Sequence, residues 1–204
     1  MKINKSKFIY LISPNKITNQ FYQDLRKVLK TGKVGIFQMR FKKYSLKKKI
    51  VNGEKIKQIC KKNRVKFLVN DDPVLAKKLN ADGCHLGQKD IDIIEARKII
   101  GNKIIGITCH NSIKFAKTAI KNKADYLAFG AFFSNKTKKA KHKATTKILN
   151  KAKKLTKTPL VAIGGINSSN YKKLLLNNAN FLAISSYIWN NKKNKPLEAI
   201  KKLK

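Results

Sequence analysis

The sequence predicts a closed (β/α)8 barrel, α/β in class. Three observations carry this reading. Eight short apolar runs alternate strictly with segments of helical period, which implies a parallel sheet with helices outside. Eight such units fit into 204 residues, the compact form of this barrel. No Gly-x-Gly-x-x-Gly follows the first run, as an open dinucleotide-binding sheet would require.

In chain order, the first run (8–13) leads into a helical segment at 18–29. The second (34–40) leads to 46–61, and the third (66–70) to 73–79, where Asp72 before Pro73 marks the helix entry. The fourth run (82–86) precedes 93–100, and the fifth (104–109) precedes 112–121, opened by Asn111-Ser112. The sixth (126–130) is followed by 145–155. The seventh (160–165) is followed by 168–177 behind Asn167-Ser168-Ser169, and the eighth (181–186) by 196–203. No linker or break in composition divides residues 1–204, so one barrel domain is expected.

The formal net charge is +38, with 48 Lys and Arg against 10 Asp and Glu. Basic patches bind phosphate backbones, but these lysines are spread along the whole chain. Runs such as Lys47-Lys48-Lys49 and Lys151-Ala152-Lys153-Lys154 read as solvated helix faces. No specific nucleic-acid partner is expected, and the positive field would help draw in a small phosphorylated substrate. Cys60, Cys84 and Cys109 are odd in number and widely spaced, forming neither a zinc pattern nor a disulfide framework. No segment approaches the roughly 20 apolar residues of a spanning helix. A soluble, cytoplasmic protein without membrane contact is expected, and a homo-oligomer is compatible with the sequence.

In such a barrel the active site lies where strands end and βα loops begin. The third run delivers Asn70 and Asp71, and the fourth delivers Gln88 and Asp90. Two carboxylates on one rim suggest a hard divalent cation, which takes oxygen ligands. The second run ends Gln38-Met39-Arg40-Phe41-Lys42. Alternation puts Gln38 and Arg40 on one side, and amide, guanidinium and ammonium together suit a multiply charged phosphate. The bland alternative is an Arg40–Asp71 ion pair with Lys42 solvated. Gly164-Gly165 and the neighbouring Ser185 suit a phosphate held by backbone N–H groups, although a tight turn would need the same glycines. The sixth run enters Ser134-Asn135-Lys136-Thr137-Lys138, a loop able to close over an anion. Thr108 is a candidate hydrogen-bond donor. Cys109 lacks a partner base, so thiol chemistry is not expected. His85 and His110 read as scaffold histidines, and Trp189 and Phe132-Phe133 as packing residues.

The ordered set resembles the thiamine phosphate synthase family, within the superfamily that also holds a thiazole tautomerase. The pieces are Gln-Met-Arg-Phe-Lys (38–42), Asn-Asp (70–71), Ala-Asp-Gly-Cys-His-Leu-Gly-Gln-Lys-Asp (81–90), Gly-Ile-Thr-Cys-His (106–110), Ala-Asp-Tyr-Leu-Ala-Phe-Gly (124–130), Thr-Lys (137–138), Ala-Ile-Gly-Gly-Ile (162–166) and Ile-Ser (184–185). The resemblance implies an enzyme, a transferase joining hydroxymethylpyrimidine diphosphate to a (carboxy)thiazole phosphate with release of pyrophosphate and CO2. By that resemblance, Gln38, Arg40, Lys42, Asn70 and Lys138 hold the pyrimidine diphosphate, and Asp71 and Asp90 hold Mg²⁺. Thr108 aligns with a family serine on the pyrimidine side. Asn135 to Thr137, Gly165, Ile184 and Ser185 receive the thiazole phosphate. Arg40, Lys42, Lys138 and Thr108 would serve the chemistry itself.

Three positions depart from the family pattern: Asp72 where a non-acidic residue is usual, Thr108 for Ser, and Asn135 for the first Thr of Thr-x-Thr. Two other functions share the sequence features. A thiazole phosphate tautomerase would carry His just after the Gly ending the sixth strand, where this chain has Ala131. A basic, non-catalytic polyanion-binding barrel would use its lysine faces.

Overall fold

A computed structural model describes residues 6–133 and 143–204. The strands are β1 (Ile9–Ile12), β2 (Val34–Met39), β3 (Lys66–Asn70), β4 (Gly83–Leu86), β5 (Ile104–His110), β6 (Tyr126–Gly130), β7 (Leu160–Ile163) and β8 (Phe181–Ile184). Each pairs in parallel with its sequence neighbour, and β1 pairs with β8, closing the barrel. The helices are α1 (Asn19–Leu29), α2 (Leu46–Lys62), α3 (Pro73–Lys78), α4 (Ile93–Ile100), α5 (Ile113–Lys121), α6 (Thr146–Leu155), α7 (Tyr171–Leu175), α8 (Ser186–Trp189) and α9 (Pro196–Lys201). The expected (β/α)8 architecture is therefore the observed one.

Alternate strand residues segregate into two cores, as a period of two requires. Ile9, Leu11, Phe37, Met39, Phe67, Val69, Leu182 and Ile184 belong to the larger core, shared with helix residues such as Leu25, Ile56 and Leu149. Tyr10, Ile12, Ile36, Leu68, Tyr126, Ala128, Val161 and Phe181 form a second cluster that fills the barrel interior. Small residues admit the rings there. A Cβ on Gly106 would lie 1.8 Å from the Tyr126 ring, so only glycine at this point of β5 lets Tyr126 lie across it.

The floor of the barrel is clamped by a recurring device. Ala-Asp precedes β4 and β6, and Ala-Asn precedes β8. Asp82 accepts the Phe67 N–H (2.9 Å), Asp125 accepts the Ile105 N–H (2.9 Å), and Asn180 accepts the Leu160 N–H (2.8 Å). Each side chain ties the start of its strand to the preceding one. Lys66 and Arg97 pair with Asp82 (2.7 Å) and Asp125 (3.0 Å).

Helix entries follow side-chain caps. Thr18, Ser45, Asp72, Asp92 and Ser112 each accept a backbone N–H three residues on. Asp72, a departure from the family pattern, is thus the N-cap of α3, with Pro73 in the first helical position. Two elements differ from expectation. Asn167 accepts the Ser169 N–H (2.8 Å), and Asn170 accepts the Asn167 N–H (2.9 Å), so side-chain turns consume the expected start of α7. After β8, Ser186–Trp189 forms a one-turn helix that no helical period announced.

Candidate active site

The carboxyl ends of the strands surround a cavity of about 770 Å³. Gln38, Arg40, Lys42, Asn70, Asp71, His85, Gln88, Asp90 and Thr108 line it, with Gly130, Ala131 and Ile163 from the opposite wall. Six of the seven residues expected to hold a diphosphate or metal, those from β2, β3 and the loops after them and after β4, are thus gathered at one mouth. The seventh, Lys138, lies outside the described residues, as do Asn135 and Thr137.

Local structure aims these groups. Gln38 is buried (3% exposed), and its Nε2 donates to Asn70 Oδ1 at 2.5 Å. That bond commits the Asn70 carbonyl and leaves its amide N–H groups for another acceptor. Ser13, at the end of β1, accepts the Arg40 N–H through its hydroxyl (2.9 Å), and its carbonyl accepts from the Ser185 hydroxyl (3.2 Å). Ser13 therefore joins the rim positions after β2 and β8. The sequence carried a signal for it, a lone polar residue closing an apolar run.

Asp71 sits just past β3 in a left-handed conformation (φ 63), with its N–H donated to the His85 carbonyl at 2.8 Å. A non-glycine residue held there is costly, and such positions gather at functional sites. Its carboxylate meets Lys42 Nζ at 3.1 Å, so Lys42, not Arg40, is its cationic neighbour. Asp90 accepts the Gly87 N–H at 2.7 Å. Burial raises the Asp90 carboxyl above its ordinary range, the Gly87 N–H pulls it back, and the hydrogen-bonded, like-charged Asp71 raises it again. Among the described residues, no group of three or more His, Cys, Asp and Glu gathers.

This donor set fits Mg²⁺. The ion is commonly held by one or two carboxylates, with waters and substrate phosphates completing its shell. Two facing carboxylates beside cations suited to phosphate provide that arrangement.

Behind Thr108 stands His85, whose Nε2 and Nδ1 lie 2.8 Å from Thr108 Oγ1 and Tyr126 Oη. Burial pushes the imidazole down to about 4, against the opposing pull of Asp71, so it is neutral at ordinary pH. Burial likewise pushes the Cys84 and Cys109 thiols up to about 12 and raises Cys60, so all three stay protonated at ordinary pH.

The β7–β8 side of the rim is built differently. Gly164 (φ 106) and Gly165 (φ 63) have left-handed backbones, and Cβ atoms there would approach Ala131 Cβ at 2.5 Å and the Phe133 carbonyl oxygen at 2.6 Å. The Phe132 and Phe133 N–H groups donate to the Ile163 and Gly164 carbonyls (3.1 Å each). These glycines thus admit the segment following β6. Ile184 turns its side chain into the outer core (2% exposed), leaving only its backbone for the rim. Trp189 packs against Phe21, and its Nε1 donates to the Ile12 carbonyl (2.7 Å).

Comparison with known proteins agrees with this construction. The model of the thiamine monophosphate synthase family matches residues 9–188. A thiamine-phosphate synthase of Pelagibacter ubique is 67% identical over 204 residues, covering 100% of this chain and 98% of that protein. One from Erythrobacter litoralis is 39% identical over 196 residues, with 94% and 92% covered. The solved structure of thiamine phosphate pyrophosphorylase from Pyrococcus furiosus superposes with a TM-score of 0.85 at 28% identity, over 98% of this chain and 95% of that one. Matched by the family model over residues 9–188 and by relatives over nearly its full length, the chain belongs to the thiamine monophosphate synthase family.

Proposed function

We infer that this rim joins hydroxymethylpyrimidine diphosphate to a thiazole phosphate, with or without its carboxylate, to give thiamine phosphate. The observation that carries the reading is the convergence of Gln38, Arg40, Lys42 and Asn70 with the facing carboxylates Asp71 and Asp90 on one cavity. Relatives that carry the name thiamine-phosphate synthase support it.

The chemistry asked of the protein is a displacement at the methylene carbon of the pyrimidine. The bond from that carbon to the diphosphate oxygen breaks, with its electron pair leaving on pyrophosphate. The thiazole nitrogen then forms the new C–N bond, and a carboxylated thiazole also loses CO2. No protein nucleophile is needed. Arg40, Lys42 and the free amide of Asn70 bind the diphosphate and stabilise the charge that grows on it. Asp71 and Asp90 would hold Mg²⁺, which supplies further neutralisation of the leaving group when bound. Lys138 would join the residues on the diphosphate, while Asn135 to Thr137, Gly165, Ser185 and the Ile184 backbone would receive the thiazole partner and hold it facing the methylene carbon, which lowers the entropic part of the barrier.

Incubation of the protein with both phosphorylated halves and Mg²⁺ should release pyrophosphate and form thiamine phosphate in equal amounts. Excess EDTA should stop both, and added Mg²⁺ should restore them. No pyrophosphate release under these conditions would overturn the reading. Isomerisation of the thiazole phosphate alone would point to the tautomerase branch, against which Ala131 stands in the cavity wall.

A further inference from the structure

A hydrogen-bonded file of side chains crosses the barrel interior from its middle to its mouth. The Tyr10 and Tyr126 hydroxyls lie 2.7 Å apart, Tyr126 Oη lies 2.8 Å from His85 Nδ1, and His85 Nε2 lies 2.8 Å from Thr108 Oγ1. The His85 and Tyr126 rings stack 5.6 Å apart at 12°, and Tyr10 meets both edge-on. Gly106 makes the space in which Tyr126 lies. The surrounding interior is apolar, so a polar file through it is an addition that packing does not call for.

Distances leave each bond's direction open, but proton counting does not. Each hydroxyl carries one proton, and a neutral imidazole carries one. Each His85 ring nitrogen faces a hydroxyl and the ring stacks on Tyr126 against an apolar interior, a setting that favours the neutral imidazole, while burial keeps both tyrosines protonated. Four protons and three bonds allow three orderings: all toward the mouth, all toward the floor, or Tyr10 and His85 both donating to Tyr126, which strands the Tyr126 proton in the interior where the residue is fully buried. In the floorward ordering the Tyr10 proton is surplus. Tyr10 is 1% exposed, and Tyr126 is its hydrogen-bond partner among the described residues, so that proton would be buried without an acceptor. In the mouthward ordering the surplus proton is on Thr108, at the cavity wall, where a ligand can accept it. A buried donor without a partner is costly, whereas an unused hydroxyl lone pair is tolerated. Gln88 anchors the Thr108 main chain by donating to its carbonyl.

We propose that His85 is a positioning residue, held by Tyr126 as the Nε2–H tautomer, and that it makes the Thr108 hydroxyl a donor into the cavity. Thr108 therefore takes a lone-pair acceptor on the substrate, and an aromatic ring nitrogen has the required chemistry where an exocyclic amine does not. Given the function inferred above, that atom is a ring nitrogen of the pyrimidine half. The file sets which edge of the pyrimidine points at Thr108 without moving a proton during turnover.

The test is nitrogen NMR on protein with ¹⁵N-labelled histidine, His85→Gln identifying the His85 signals among the three histidines of the chain. The free protein should show His85 as the Nε2–H tautomer with Nδ1 an acceptor. Tyr10→Phe should keep that signature, because the Tyr126 proton still points to Nδ1, and Tyr126→Phe should lose it. With both substrates, Tyr126→Phe and His85→Leu should lower kcat about tenfold with KM for the thiazole phosphate unchanged, and His85→Gln should recover most of the loss through its amide N–H. An Nδ1–H tautomer in the wild-type protein would overturn the proposal, as would Tyr10→Phe disturbing His85 as much as Tyr126→Phe does. The wild-type spectrum decides even if a variant fails to fold. It needs no substrate, so an Nε2–H signature without pyrophosphate release would sink the functional reading and leave the polarity of the file standing.

Discussion

Replacing His85 with Gln should flatten the acid limb of the stability curve. In the folded chain burial holds His85 neutral until about pH 4, while its ordinary value is 6.5. Above pH 6.5 the residue is neutral whether folded or unfolded and contributes no pH dependence. Between pH 6.5 and 4 the unfolded chain takes up a proton that the folded chain refuses, so unfolding free energy falls as pH falls. At ~1.4 kcal/mol per pH unit, the loss attributable to this one group reaches about 3 kcal/mol near pH 4 and is constant below it. Gln has no proton to gain in this range, and its amide can still reach Thr108. Urea unfolding at half-unit steps from pH 7.5 to 4 should show wild-type stability falling about 3 kcal/mol further than that of the variant. Other carboxylates titrate in both proteins and cancel in the difference. Parallel curves would mean that His85 titrates normally, and the neutral imidazole behind Thr108 would have to be abandoned.

Asp90→Asn should separate activity from stability. Its amide oxygen can still accept the Gly87 N–H, and the clash with Asp71 is relieved, so the melting temperature should hold or rise while pyrophosphate release falls about 100-fold or more. A parallel loss of both would mark Asp90 as structural. Gly165→Ala places a side chain at φ 63, 2.6 Å from the Phe133 carbonyl. The left-handed backbone alone should cost about 1–2 kcal/mol, measurable by thermal melts, and KM for the thiazole phosphate should rise. The net charge of +38 should make kcat/KM for the diphosphate fall steeply between 20 and 500 mM salt, on the order of tenfold, with kcat nearly flat. Salt-independent kcat/KM would show that the lysine-rich surface does not steer substrate.

The barrel was legible because each strand is a continuous apolar run, and every one is found within a residue or two of where the runs lie. The failures share a cause in local competition. Asn167, Ser169 and Asn170 look like a helix entry but satisfy one another in turns, shortening α7. The four residues of α8 are too few for a period to register. At the site, alternation correctly places Gln38 and Arg40 on one side of β2. It stops applying at Asp71, whose positive φ takes the chain out of strand geometry. That is why the partner of Asp71, Lys42 instead of Arg40, could not be read from spacing. Ile184 is the reverse case. Alternation along β8 sends its side chain outward, and the resemblance supplied a role that its backbone alone can fill. The file from Tyr10 to Thr108 was invisible because its members lie on four strands, and the register between strands is set by closure of the barrel.

The acids give the strongest reason to separate site from scaffold. The chain has only ten, and most have evident structural work. Asp72 and Asp92 cap helices, and Glu198 accepts the Lys195 N–H at the entry to α9. Asp82 and Asp125 clamp the floor. Asp24 bonds Gln20, while Glu54 and Glu95 pair with lysines one turn on. Asp71 and Asp90 alone are set against each other, an arrangement that burial and like charge make unfavourable and that a capped turn or a surface pair would not require. In a chain with 48 cations to choose from, placing its two opposed carboxylates beside Lys42 and Arg40, with no third acid, suits a shared divalent ion whose remaining ligands arrive with the substrate. Asp82 and Asp125 are committed to the floor clamps, which leaves Asp71 and Asp90 as the two acids that line the mouth of the barrel.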